Sequence, residues 1–185
     1  MRRALDAVYA AALWAACLAM VATALLVLVQ IAGRLLDRAL ILAGAVPLGL
    51  AVPSLAEIGG FLFVGSAMLA LPATLRAGGH VRVTLLTGLL GEGVAGRGLR
   101  LVVLAAALAL CSFAAWHSGV QAFDSWQFAS VSFGMVRVPL WLPQGVMTAG
   151  LALFALALAD ELVVALSGRL PAHARAEGAR SRGEG

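Results

Sequence analysis

EIGGFLFVGSAMLALPATLRAGGHVRVTLL, residues 57–86, decides the fold. One carboxylate, Glu57, precedes eighteen residues without a charge, Ile58 to Leu75. A hydrocarbon core about 30 Å thick needs about 20 helical residues to cross it. The run therefore predicts a membrane helix. It leaves the bilayer at Arg76 and enters a basic turn, Gly78-Gly79-His80-Val81-Arg82. Beyond the turn the apolar pattern changes period. Val81, Leu85, Leu86, Leu89 and Leu90 fall on one side of a helix, with Thr84, Thr87, Gly88 and Gly91 opposite. That pattern predicts an amphipathic helix lying in the membrane plane.

Working outward, charges bracket three more runs of spanning length. The expected spans are residues 8–32, 57–75, 100–118 and 139–160, within a membrane domain covering 1–170. Only helices and closed barrels satisfy their backbone in lipid, and these runs lack the alternation of barrel strands. The expected fold is all-α and integral to the membrane, with four transmembrane helices plus short lateral amphipathic helices. Hydrophobic residues make up 62% of the chain and charged residues 12%, against about 25% in soluble domains.

The uncharged stretch Ala39 to Ala56 holds Gly44, Pro47, Gly49 and Pro53. Prolines interrupt a helical ladder, so a short interfacial or re-entrant segment is expected there, not a span. Aromatics gather between Trp116 and Trp141, which predicts a second lateral segment over Gly119–Val138. The first run is too long for a signal-peptide core and reads as an uncleaved helix. The residues after Leu170 lack apolar content, and 171–185 read as a disordered cytoplasmic tail.

All 13 basic residues are Arg, and they punctuate the apolar runs rather than forming a nucleic-acid patch. With the N-terminus inside, ten fall on the cytoplasmic side and three outside. The positive-inside rule then places both termini in the cytoplasm. Small residues recur on one face of the second span (Gly59, Ser66, Ala70, Ala73) and of the fourth (Gly145, Ala149, Ala152, Ala155, Ala159). Such stripes let membrane helices approach closely.

The chemistry is sparse. The apolar runs contain no internal Asp, Glu, Arg or Lys, which are the usual markers of an ion or substrate path. His80 and His117 fall at opposite borders and cannot clamp one haem, while His173 is in the tail. Cys17 and Cys111 lie inside apolar runs and form no metal spacing. No catalytic residue, metal site or cofactor is expected. An accessory membrane subunit is.

Glu57 at the start of the second span, the turn Gly79-His80-Val81-Arg82-Val83-Thr84-Leu85-Leu86, and Val138-Pro139-Leu140-Trp141 opening the fourth span, preceded by Ser132 and Gly134, occur in a telling order. With these motifs the chain resembles the small membrane subunit of TRAP transporters, the DctQ-like proteins of tripartite ATP-independent periplasmic uptake systems. The likeness runs from about Ala7 to Gly168. The family often has two acids where this chain has Ala56-Glu57, and Asp where it has Thr84.

The resemblance implies a non-enzymatic scaffold subunit in the bacterial inner membrane. A large TRAP membrane subunit would carry the substrate and sodium sites. A periplasmic substrate-binding protein would deliver an organic acid, and membrane lipids would surround the complex. Glu57, His80, Arg82, Arg137 and Pro139 are the candidate interface or structural residues. Two other readings remain open at this point: a membrane anchor of a redox enzyme, and the small subunit of a tripartite tricarboxylate transporter.

Overall fold

The computed structural model describes residues 2–77 and 94–167. Its helices are α1 (Arg2–Leu42), α2 (Leu55–Arg76), α3 (Val94–Gln127) and α4 (Trp141–Leu166). All four are long and apolar enough to cross a membrane. The lateral helix expected after Gly79, with His80 and Arg82, and the tail lie outside the described residues.

Two helices overshoot their apolar runs. At 1.5 Å per residue α1 is about 60 Å long and α3 about 50 Å, well beyond a hydrocarbon core of about 30 Å. α1 continues through Arg34, Asp37 and Arg38, and α3 through Asp124. A charge ends the membrane, not the helix. Arg, Leu and Ala all favour helix, so the ladder runs on to a residue that breaks it. Gly119–Gln127 is accordingly the end of α3 rather than a lateral segment, and an irregular hairpin follows at 128–140. Residues 39–42 likewise complete α1, and 43–54 form a connector that does not span.

α2 and α4 are the central pair, with α1 packed on α2 and α3 on α4. Closest approach occurs where Gly150 of α4 meets Met68 of α2. A Cβ on Gly150 would sit 2.6 Å from the Met68 carbonyl carbon. Pro72, fully buried in α2, has no N–H to donate to the Met68 carbonyl, so bare backbone lies against bare backbone. Gly65 adds a second close contact, with Val146. The alanine stripe expected on α4 is not the contact face, since Ala149 and Ala152 are exposed. Gly150, Ala157, Leu158, Glu161, Val164 and Ala165 face inward instead. Alanine fits any face of a membrane helix; Gly150 marks where another backbone arrives, whereas Gly145 on the same helix meets nothing within 4 Å.

The buried core lies at one end, here called the terminal end because it holds the start of α1 and the end of α4. Tyr9, Leu75, Leu104, Ala157, Leu158 and Ala165 form it, so every helix contributes. Toward the opposite, hairpin end, the helices form a slab with broad exposed apolar faces.

Candidate functional site

At the hairpin end the start of α2 meets the segment between α3 and α4. α3 stops in a Schellman turn: the Ala129 N–H donates to the Trp126 carbonyl at 3.2 Å and the Ser130 N–H to the Ser125 carbonyl at 2.9 Å. Ala129 takes the left-handed conformation this turn requires, φ 47°. The chain then folds into a small hairpin. Val131 and Pro139 form an antiparallel bridge, and the Ser132 N–H donates to the Val138 carbonyl at 2.9 Å.

Ser132 is 5% exposed and closes the hairpin from inside. Its hydroxyl accepts from the Val138 N–H at 3.0 Å and donates to the Val136 carbonyl at 3.2 Å. One side chain thus supplies partners that a regular ladder would have supplied, as buried backbone groups require.

Ser54 ties the hairpin to α2. Ser is a preferred N-cap, but here the hydroxyl makes no cap bond. It accepts from the Val136 N–H at 2.9 Å instead, with Ser54 itself left-handed at φ 54°. Gly134 packs directly on the Glu57 carboxylate and the Ser54 hydroxyl, leaving no room for a Cβ. Glu57 stands in the first turn of α2, where a negative charge complements the helix dipole. Its Oε2 is buried without a hydrogen-bond partner among the described residues.

The described candidates Glu57 and Pro139 therefore meet at one joint. Pro139 sits on the exposed edge of the hairpin, where a residue without an N–H costs nothing. Arg137 is exposed on the same hairpin and has no carboxylate partner among the described residues. Ser54, Ser132 and Gly134 build the joint; in the sequence Ser132 and Gly134 show only as small residues ahead of Val138-Pro139-Leu140-Trp141, and Ser54 carries no signal.

A polar seam joins α3 to α4 below the hairpin. The Ser118 and Thr148 hydroxyls are 2.7 Å apart. With its amide nitrogen turned toward α3, Gln144 donates to Ser125 Oγ at 2.6 Å and the Gln121 carbonyl at 3.2 Å. The spacing of Ser118, Gln121 and Ser125 at three and four residues, opposite Gln144 and Thr148 at four, was the available signal.

At the terminal end Arg76 pairs with Asp6, joining α2 to α1. Glu161 is 3% exposed within α4, so the fourth helix carries a buried carboxylate just beyond its uncharged run. Among the described residues no group of His, Cys, Asp and Glu could hold a metal ion. His117 is exposed and stacks on Phe113, with ring centroids 4.2 Å apart.

The family model for tripartite ATP-independent periplasmic transporters, DctQ component, matches residues 45–168. The chain belongs to this family. As a DctQ protein it is a non-enzymatic, multi-pass membrane component of a TRAP transporter, and its family implies partner components DctM and DctP. Comparison with curated proteins and with solved structures gave no match. The matched region begins in the connector after α1 and ends just past α4. The hairpin joint lies wholly inside this DctQ region, while all of α1 lies outside it.

Proposed function

We propose that this DctQ subunit is the static scaffold of a secondary transporter that imports organic acids with the sodium gradient. The large membrane subunit would hold the substrate and sodium sites. The observation supporting this division is the open slab. Its flanking helices expose long apolar faces, with Trp14 71%, Leu18 66% and Leu28 60% exposed on α1, and Leu110 69% and Trp116 72% on α3. A protein that carries its own path must enclose it. A slab offers faces for lipid and for a partner's helices, with van der Waals packing and small residues as the means of association.

The arginine distribution supports cytoplasmic termini in the bacterial inner membrane. In that orientation the hairpin joint faces the periplasm, on the side from which a substrate-binding protein approaches. Glu57 then holds the hairpin against α2, and Arg137 and Pro139 present its outer edge. His80 and Arg82 fix the basic turn at the cytoplasmic surface, where an arginine reaches headgroups or an acid.

Co-purification tests the assignment. Expressed with the large membrane subunit, the chain is expected to be recovered with it in mild detergent, and Arg82→Ala to reduce that recovery. A chain that elutes alone while the large subunit is present and folded would refute the scaffold role.

A further inference from the structure

A cleft opens between α1 and α2 at the terminal end, remote from the hairpin joint. It is a shallow, open groove lined by Ala10, Leu13 and Ala73 together with Tyr9 and the charged Asp6 and Arg76, and Leu13 is 40% exposed. Asp6 lies one residue inside the first apolar helix segment and Arg76 ends the second, so the charged pair marks a membrane border beside an apolar groove.

The pair is held but not saturated. The Arg76 guanidinium lies 5.3 Å from the Tyr9 ring centroid, a cation–π distance, and Tyr9 is only 3% exposed. Arg76 donates through one nitrogen to one Asp6 oxygen. A guanidinium offers five N–H donors and a carboxylate about four acceptor positions. Among the described residues most of both remain available, with the Arg76 side chain 34% exposed and that of Asp6 52% exposed.

In a bilayer an apolar groove at this depth takes an acyl chain rather than water. The headgroup above it must then suit a cation and an anion side by side. An anionic headgroup would satisfy Arg76 and be repelled by Asp6. A quaternary ammonium would offer Asp6 charge without a donor. A phosphate joined to a primary ammonium supplies a charge-assisted partner to each.

We propose that this cleft binds a phospholipid with a zwitterionic, primary-amine headgroup, of the phosphatidylethanolamine type. Its phosphate meets Arg76, its ammonium meets Asp6, and an acyl chain lies along Ala10, Leu13 and Ala73. Asp6 and the α1 side of the cleft fall outside the DctQ-matched region, and Ala73 and Arg76 fall inside it.

Native mass spectrometry of the full chain in mild detergent tests this. Phosphatidylethanolamine and phosphatidylglycerol with identical acyl chains are offered separately. The amine lipid is expected to be retained about fivefold better, the scale of one interfacial charge contact. Asp6→Asn is expected to abolish that preference. Leu13→Trp fills the groove while leaving the charged pair, and is expected to lower retention of the amine lipid by a similar factor. Equal retention of both lipids by the unaltered chain would overturn the proposal. So would a preference that survives Asp6→Asn, or retention unaffected by Leu13→Trp. Should Asp6→Asn fail to fold, the other two measurements still decide.

Discussion

α1 and α3 leave the hairpin end of the bundle through the same turn, yet the segments that follow are held in different ways. In both, a Schellman pair of bonds closes the helix: Gly44 N–H to Ile41 and Ala45 N–H to Leu40 in α1, Ala129 to Trp126 and Ser130 to Ser125 in α3. The connector 43–54 then folds back along its own helix. Asp37 accepts from the Leu48 and Gly49 N–H groups at 2.8 and 3.1 Å, and Gln30 from the Val52 N–H at 2.6 Å. The hairpin 128–140 instead closes on itself through Ser132 and docks on Ser54, the last residue of the connector and the N-cap of α2. The connector's side-chain bonds up to Val52 run back to α1 alone. A loop held by α2 couples the end of α3 and the start of α4 to α2, which suits the fixed part of a scaffold.

Gly134→Ala should break the second arrangement most severely. The new methyl group meets the Glu57 carboxylate, which can swing aside, and the Ser54 hydroxyl, which cannot move without losing the Val136 N–H, and overpacking that breaks this bond costs about 2 kcal/mol. Amide exchange at Val136 and Val138 is expected to accelerate about thirtyfold, with the connector amides unchanged. Gln30→Leu should strike the connector alone. It leaves the Val52 N–H unpaired beside a residue only 8% exposed, at a cost of about 1.5 kcal/mol. Faster exchange at Val52, without change at Val136, is the expected pattern. Acceleration of both loops by either substitution would mean that they form one unit.

The smallest effect tests the shared turn itself. Gly44 and Ala129 occupy the same left-handed position, φ 74° and 47°. Ala129→Gly should raise stability by about 1 kcal/mol, because alanine pays a steric cost there that glycine does not. Gly44→Ala should lower it by a similar amount. Thermal unfolding in detergent reads both, and equal responses of the same sign would show that the turn is not under the same constraint at the two ends.

Much of the fold was legible because the bilayer imposes it. The uncharged run from Ile58 to Leu75 had to be a helix, since no other open structure satisfies its backbone in lipid. Helix ends were less legible. Arg34 and Asp124 signalled the border of the apolar runs, but Gly44 and Ala129 terminate the helices. The joint was half visible: Glu57 and Pro139 stood out as a lone charge and a proline beside a span. Ser132 and Gly134 showed only as small residues ahead of Val138-Pro139-Leu140-Trp141, and Ser54 not at all, because a small residue reveals its role only when a distant group arrives beside it.

The sequence by itself determined that this chain carries four runs long and apolar enough to cross a membrane, and its motif order pointed to the DctQ family. Both follow from local properties, the length of uncharged runs and residues close together in the chain. Only the tertiary structure decided which faces touch, that Gly150 rather than the alanines brings α4 onto α2, and that Asp6 shares a cleft with Arg76. In lipid nearly every face of these helices is apolar, so hydrophobicity cannot choose among them. The choice falls to close backbone approach and to the few polar groups that must find a partner.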